Sequence, residues 1–238
     1  MKPSIGLLLL PLALIIPPLA AEEACSEPPL AVTDVRLFDG ESVTPRATVV
    51  MRCTTIWRVV DGDRTAELPA GTVTIDGQGK TLLPGLIDTH THTWSVPMLE
   101  RPLDFGVTTV MDMGSTNREF AGSMRAERAD GPARDRADLF SAVLWVTAPG
   151  SHGTQWAEVP TLVEPEDAAS FVQARVDEGA DYIKIIYDNF KMFDREIPTL
   201  RKETMEAVVD AAHAQGKMAV VHSRDVEAWA DVVNAGVD

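Results

Sequence analysis

From Pro84 onward, short apolar runs alternate with amphipathic stretches, and this rhythm constrains the fold more than any other feature of the sequence. The apolar runs predict five strands, at Leu86–Thr93, Val107–Met113, Leu139–Thr147, Tyr182–Tyr187 and Met218–Ser223. Between them, residues 97–105, 165–178, 200–215 and 226–233 have the spacing of helices. Strands that alternate with helices imply a parallel sheet with right-handed crossovers, so we expect an α/β fold.

Residues 31–83 have a different pattern, in which short β runs end at turn dipeptides. These dipeptides are Asp39-Gly40, Asp61-Gly62 and Asp76-Gly77, and the second is typical of a hairpin turn. We therefore expect a small all-β unit at 31–83, ahead of the α/β unit at 84–238. Residues 22–30 are expected to form a flexible start of the mature chain.

The first 21 residues have the order of a secretory signal peptide, with Met1-Lys2, an apolar stretch and then Ala20-Ala21. The apolar stretch is shorter than the roughly 20 residues of a membrane span and is interrupted by prolines. We expect cleavage after 1–21 and export, to the periplasm or outside the cell. Glu22 and Glu23 argue against a lipid anchor on Cys25, and the sequence leaves open whether Cys25 and Cys53 pair.

The formal net charge of −15 limits the partners of the chain. Nucleic-acid binding needs clustered Lys and Arg, so no nucleic-acid partner is expected. No polybasic patch is present for a membrane surface, and we expect no membrane contact once the signal is removed. The acidity is interpreted as solubility rather than as recognition of a cationic substrate.

His90 and His92 stand at the end of the first predicted strand of the α/β unit. Residues two apart in a strand point to the same side, so the two imidazoles converge. (β/α)-barrels keep their chemistry at the carboxyl ends of the strands, and paired imidazoles there suit Zn²⁺. Asp88 lies on the same face, where it either hydrogen-bonds a ligand histidine or only caps the strand. Alone, the two histidines are a weak signal.

Lys184 is the one charged residue in the fourth predicted strand. A buried ammonium group costs several kcal/mol unless it is paired or neutral. It therefore either forms an ion pair, for example with Asp88, or has a lowered pKa and reacts with CO₂ to give an anionic oxygen ligand. His222 ends the fifth strand, again at a carboxyl end.

The run Gly79–His92, with the sequence GKTLLPGLIDTHTH, resembles the signature of the amidohydrolase superfamily. Ile183–Ile185 and Val221-His222 resemble the next two ligand motifs of that superfamily, in the same order. Residues 31–83 resemble the small β-sandwich domain that precedes its barrel. The similarity is greatest to the branch that contains imidazolonepropionase-like proteins and Xaa-Pro or Xaa-Arg/Lys dipeptidases.

This resemblance implies a metal site and a truncated fold. His90, His92, Lys184 and His222 would hold one or two divalent ions, expected to be Zn²⁺, with a CO₂-derived carboxylate on Lys184. The fold would be a (β/α)8 barrel cut after about five βα units, and an open five-stranded doubly wound sheet is the structural alternative. The strand-six His and the strand-eight Asp, which acts as proton shuttle in the superfamily, fall beyond Asp238. We therefore expect a fragment, and the catalytic residue stays unknown.

The expected activity is hydrolysis of an amide-type C–N bond by metal-activated hydroxide, with a dipeptide, an N-acyl amino acid or a cyclic amide as substrate. A truncated, non-catalytic remnant is one alternative, and a lactone or ester hydrolase with the same metal site is another. His152, beyond the third strand, and Tyr187, at the end of the fourth, are candidates for substrate contact. Trp94 and Trp156 either line an apolar wall or pack in the core. Association into a homo-oligomer stays open.

Overall fold

The structure, a computed structural model, describes residues 26–238. These residues belong to two compact units that divide in sequence between Pro84 and Gly85. The expected signal peptide at 1–21 and Cys25 lie outside the described residues, as does most of the expected flexible start at 22–30. Within residues 26–238, no helix has the length and apolar character needed to cross a membrane.

The first unit is a single β-sheet built around its first strand. Its strands are β1 (Leu30–Phe38), β2 (Val43–Arg52), β3 (Thr55–Asp61), β4 (Val73–Asp76) and β5 (Thr81–Leu82). The order is β3-β2-β1-β4, with β5 also on β1; β1–β2 and β2–β3 are antiparallel, and β4 and β5 run parallel to β1. Consecutive residues are buried in this unit, at 31–33 of β1 and 47–50 of β2, so both faces of these two strands are covered there.

The hairpin turn predicted at Asp61-Gly62 is wrong. The chain reverses earlier, at Cys53 and Thr54, so that Arg52 pairs with Thr55 and Ala47 with Asp61. The reason is that Cys53 takes a left-handed conformation with φ 51°, inside a β-branched and apolar run that shows no break in the sequence. Cys53 is disulfide-bonded in the structure.

The second unit alternates strands and helices, which confirms the α/β class. Its strands are β6 (Leu86–Thr91), β7 (Val107–Asp112), β8 (Asp138–Ser141), β9 (Trp145–Val146), β10 (Ile183–Ile186) and β11 (Ala219–His222). Its helices are α1 (Pro97–Leu103), α2 (Arg118–Ala129), α3 (Ala168–Asp177), α4 (Lys202–Ala214) and α5 (Val226–Asn234). Short 3₁₀ turns lie at Pro165–Asp167 and Lys191–Phe193 in this unit, and at Thr65–Glu67 in the first unit. The strands form two parallel ladders, in the orders β6-β7-β8 and β9-β10-β11.

Two elements differ from the sequence prediction. The third strand, predicted as one run, is divided into β8 and β9 because Val143 has a φ of 60°, which breaks the ladder. Helix α2 was not foreseen. It buries only Ala121 and Met124, so its apolar stripe is weak, and its start is marked by Asn117, whose side chain accepts a hydrogen bond from the Phe120 N–H.

The main core of the second unit lies between the β9-β10-β11 ladder and the helices α3 and α4. Val172 of α3 and Val208 and Val209 of α4 are fully buried against Ile183 and Ile185 of β10. Burial of each such side chain stabilises the fold by about 1.5–3 kcal/mol. Strand β10 is buried at every position, and this fixes the depth of its lysine.

A buried polar network ties the two ladders together. The Tyr182 hydroxyl, just before β10, donates to the Asp112 carbonyl oxygen of β7 at 2.7 Å. The Asp112 carboxylate, fully buried, accepts from the Ser141 hydroxyl at 2.6 Å and from the Thr93 N–H at 3.1 Å. Burial raises the pKa of Asp112 and of Tyr182. Every member of the network is satisfied, so its loss is costly.

We predict that Tyr182→Phe lowers the free energy of unfolding by about 1 kcal/mol, the usual contribution of one hydrogen bond. Tyr187→Phe is the matched control, because the Tyr187 hydroxyl donates to the Asp231 carboxylate at 3.1 Å, outside the buried network. Lys202 also forms an ion pair with Asp231. Urea unfolding of the two variants checks this. A loss in Tyr187→Phe as large as in Tyr182→Phe would contradict the role of the buried network.

Candidate metal centre

The predicted metal ligands of the second unit meet at one cavity of about 600 Å³. Besides smaller residues, its wall consists of imidazoles, one lysine and large apolar side chains: His90, His92, Trp94, Met113, Trp145, His152, Trp156, Lys184, Ile186 and His222. The cavity therefore brings together all four side chains that the motifs single out, and His152 with them.

The parallel ladders explain why these side chains meet. His90 stands near the end of β6 and His92 one residue beyond it, while His222 is the last residue of β11. In β10, Lys184 pairs with Val220, and Ile186 pairs with His222. Lys184 therefore lies one pleat deeper than His222, on the side of the strand that faces the cavity.

His92 and His222 each have one ring nitrogen engaged and one available. Nδ1 of His92 is 2.9 Å from the Gly114 carbonyl oxygen, which can only accept, so Nδ1 carries the proton and Nε2 has a free lone pair. Nε2 of His222 is 3.0 Å from the Asp188 carboxylate, so in the neutral ring Nδ1 has the free lone pair. This arrangement is typical of histidines that bind metals.

Asp188 holds His222 in place from the segment that follows β10. Its side chain is 1% exposed, and it also accepts from the Arg224 side chain at 2.5 Å and from the Phe190 N–H at 2.9 Å. Burial acts to raise the pKa of Asp188, but these hydrogen bonds outweigh it and the pKa is lowered. The Arg224 guanidinium in turn lies 4.0 Å from the centre of the Phe190 ring.

The sequence prediction missed Asp188 and Arg224. The available signal was their position: Asp188 comes two residues after the end of β10, and Arg224 two residues after the end of β11. Side chains that follow adjacent parallel strands meet at the same edge of the sheet.

Lys184 is 4% exposed, and among residues 26–238 its ammonium group has no hydrogen bond or ion pair. Burial lowers the pKa of Lys184 to about 8. The ion pair with Asp88, considered as an alternative, is not formed. Asp88 is exposed and accepts from the backbone N–H of His90 at 3.1 Å, rather than from a ligand ring. The side-chain amine of Lys184 therefore lies in the cavity wall without a partner among residues 26–238.

The two candidates for substrate contact lie in different places. His152 lines the cavity, and its ring centre is 5.0 Å from that of His222. Tyr187 is not among the cavity residues, and its hydroxyl donates to Asp231 of α5 at 3.1 Å. Because Lys184 and Ile186 face the cavity, the odd-numbered Tyr187 faces the other way. The predicted contact of Tyr187 with a substrate has no support in this geometry.

Three tryptophans surround the cavity. Trp94 is 55% exposed and Trp156 is 65% exposed, so both line an apolar wall rather than the core. Trp145 is buried between two glycines: a Cβ on Gly114 would lie 2.7 Å from its ring, and one on Gly153 would clash with its Nε1. Trp145 thus separates the segment whose carbonyl holds His92 from the loop that carries His152.

The histidines alone do not form a metal site in the described part of the chain. No group of three or more His, Cys, Asp or Glu side chains there is placed to hold a metal ion, and the rings of His90 and His92 have centres 5.7 Å apart. The donor chemistry still suits a divalent cation, because two imidazoles are held with free lone pairs beside an unpaired amine. A metal site at this cavity therefore needs Lys184, or a donor outside residues 26–238, in addition to the imidazoles.

Burial, followed by the neighbouring His152 and Lys184, lowers the pKa of His222 to about 4. In the unfolded chain the same group titrates near 6.5. The stability that the uncharged His222 contributes to the metal-free protein is therefore fully present above about pH 6.5 and falls as the pH drops toward 4, because only the unfolded chain takes up this proton.

We predict that His222→Asn makes the acid dependence of the unfolding free energy less steep, measured by urea unfolding between pH 4 and 7 with a chelator present; burial also lowers the pKa of His90 and His152, so part of the dependence remains. His213→Asn is the control, since His213 is exposed on α4 and meets Asp238 at 3.0 Å, away from the cavity. An unchanged slope in His222→Asn would contradict the assignment of the dependence to His222.

Known proteins resemble this chain in sequence and in fold. No protein family model matches it. An uncharacterized protein of Mycobacterium tuberculosis is 29% identical over 195 residues, which are 77% of this chain and 50% of that protein. The crystal structure of an Xaa-Pro dipeptidase with methionine in its active site matches with a TM-score of 0.69 and 24% identity, over 88% of this chain and 60% of that one. An amidohydrolase structure matches with a TM-score of 0.69 and 20% identity, over 88% and 59%.

These likenesses define the class of fold. The chain has the α/β fold of amidohydrolase and prolidase structures, so the resemblance that the motifs indicated is confirmed at the level of the fold. The chain spans about half the length of the curated relative, 50%, and about 60% of the solved dipeptidase chain.

Proposed function

We propose that this chain carries the metal-binding part of a hydrolase of the amidohydrolase superfamily that cleaves amide-type C–N bonds. One observation carries the proposal: residues at the ends of β6 and β11 and within β10 line one cavity, namely His90, His92, His222 and Lys184. The similarity to a structure described as an Xaa-Pro dipeptidase supports a small amide substrate, such as a dipeptide, an N-acyl amino acid or a cyclic amide. The two ladders would be successive parts of one (β/α)8 barrel.

The proposed ligands are His90, His92, Lys184 and His222, for one or two divalent ions, of which Zn²⁺ suits imidazole nitrogen best. When bound, such an ion would polarise the amide carbonyl and lower the pKa of water toward about 7. The protein would supply the orientation: the Gly114 carbonyl holds the His92 ring, and the Asp188 carboxylate holds the His222 ring.

Lys184 would contribute through reaction with CO₂. A pKa of about 8 leaves part of the amine neutral near pH 7, and only the neutral amine has the lone pair that attacks carbon. The nitrogen forms a bond to the CO₂ carbon and releases one proton, so the product is a carbamate with a negative charge on its oxygens. A buried anion is unfavourable alone but is stabilised beside a cation.

Other residues would receive the substrate. Trp94 and Trp156 offer apolar surface at the cavity, and His152 offers a polar ring edge. We assign no described residue as the group that passes a proton to the leaving amine. The signal-like segment at 1–21 supports export of the protein, where it would act on peptides or amides outside the cytoplasm.

We predict that the protein, purified without chelator from zinc-supplemented medium, retains about one or two equivalents of zinc, and that Lys184→Ala loses most of it. Lys191→Ala is the control, because Lys191 is exposed on a 3₁₀ turn.

Asp188→Asn should lower zinc affinity about 10–100-fold, as loss of a partner behind a ligand histidine does. Metal analysis by mass spectrometry measures all four proteins. Trace zinc in the unaltered protein would reject the metal site, and unchanged zinc in Lys184→Ala would reject only the role of Lys184.

We predict that the zinc-loaded protein hydrolyses at least one member of a panel made of an Xaa-Pro dipeptide, an N-acyl amino acid and a cyclic amide. Activity should fall to background on chelation, return with zinc, and be lost in His90→Ala. Release of the free amine is the measurement, and a lactone is included. Cleavage of the lactone alone would contradict the amide assignment.

A second candidate function is metal binding without catalysis, in a remnant of such an enzyme. It is favoured by the state of the carboxylates near the cavity: Asp112 and Asp188 are both engaged in hydrogen bonds with other side chains, and neither lines the cavity. Zinc retention without turnover of any panel member is the result that would support it over the first candidate.

A further inference from the structure

The loop after β9 contains an ordered contact between His152 and Gln155. The Gln155 side-chain nitrogen, Nε2, lies 2.9 Å from Nδ1 of His152. The Gln155 side-chain oxygen, Oε1, lies 2.7 Å from the backbone nitrogen of Gly153. A further hydrogen bond fixes the loop, since the Thr147 hydroxyl donates to the His152 carbonyl oxygen at 2.8 Å.

These two contacts determine where the imidazole proton sits. The Gly153 N–H can only donate, so the Gln155 atom beside it must be the accepting oxygen. The Gln155 amide nitrogen, which can only donate, therefore faces His152 Nδ1. A nitrogen that accepts a hydrogen bond carries no proton, so the neutral His152 ring has its proton on Nε2.

Ring contacts hold the His152 side chain at the cavity wall. Its ring lies 4.8 Å from the Trp156 ring and 5.0 Å from the Phe190 ring, centre to centre. Nε2 is on the ring edge opposite the Gln155 contact, and among the described residues it has no hydrogen-bond partner. An N–H without a protein partner at a cavity wall is available to a ligand.

We propose that Gln155 is a positioning residue that holds His152 as the Nε2–H tautomer, so that His152 donates a hydrogen bond to a carbonyl or carboxylate oxygen of the substrate and is not a metal ligand. The identity of the acceptor as a substrate group rests on the proposed hydrolase function. The tautomer itself rests only on the hydrogen bonds of Gln155.

The cavity then contains imidazoles of two kinds. His92 and His222 are held by a carbonyl and a carboxylate, which leave a lone pair for a cation. His152 is held by an amide donor, which leaves an N–H for an oxygen. The ring centres of His152 and His222 are only 5.0 Å apart, so their different partners, rather than their separation, assign their roles.

The tautomer can be measured by long-range ¹H–¹⁵N NMR on the full protein labelled at histidine, metal-free and at neutral pH. We expect the His152 signals of a protonated Nε2 and an unprotonated Nδ1; assignment follows from their loss in His152→Gln. In Gln155→Glu the carboxylate can only accept, so Nδ1 should gain a proton. Gln78→Glu, the same substitution in the first unit, should leave the His152 signals unchanged.

Zinc titration of the same sample separates this inference from the proposed function. We expect Nε2 of His152 to stay protonated at saturating zinc, and His152→Gln to change zinc affinity by less than about twofold, against about tenfold or more for loss of a partner behind a ligand histidine, as in Asp188→Asn. A protonated Nδ1 in the unaltered protein, or loss of the Nε2 proton on zinc binding, would overturn the inference. If the protein fails to bind zinc but His152 has the Nε2–H tautomer, the proposed metal site is rejected and the positioning role of Gln155 is supported.

Discussion

The burial of β10 on both of its faces determines most of what the second unit can do. Val172 of α3 and Val208 and Val209 of α4 cover the face that carries Ile183 and Ile185. Lys184 and Ile186 point to the opposite face, toward the cavity, and are buried as well. The amine of Lys184 therefore loses its hydration, and its pKa falls to about 8. The pairing of β10 with β11 places Lys184 one pleat below His222.

Around that lysine, the partner of each imidazole decides what the ring can offer. A carbonyl behind His92 and a carboxylate behind His222 leave nitrogen lone pairs, whereas an amide behind His152 leaves an N–H. None of these partners belongs to the motif that contains the histidines. Asp188 and Gln155 come from the segments that follow β10 and β9, and Gly114 follows β7. The loops after the strands thus define the roles that the strand-end residues take.

The sequence was sufficient for the class of fold and for the meeting of the strand-end residues. Hydrophobic periodicity marks strands that alternate with helices, and this order implies parallel strands whose carboxyl ends lie at one edge. It could not show where β8 and β9 separate, since that depends on one residue, Val143, with φ 60° in an apolar run. It also missed Asp188, because an acidic residue in a loop has no distinctive pattern until the fold places His222 beside it. Tyr187 is a different case, because strand alternation with Lys184 already directs its side chain away from the cavity, where its hydroxyl meets Asp231 of α5.

The distribution of charge adds a last constraint on the cavity. The chain has a net charge of −15, yet no Asp or Glu is among the described residues that line the cavity. The nearby carboxylates are occupied, Asp112 by Ser141 and Thr93, and Asp188 by His222 and Arg224. Neutral imidazoles supply nitrogen ligands for a metal ion but no negative charge. A divalent cation beside an apolar wall needs negative charge to balance its own. Of the described lining residues, only Lys184 could acquire a negative charge by reaction with CO₂. Metal binding would therefore depend on the unpaired amine of Lys184 more than on any single histidine.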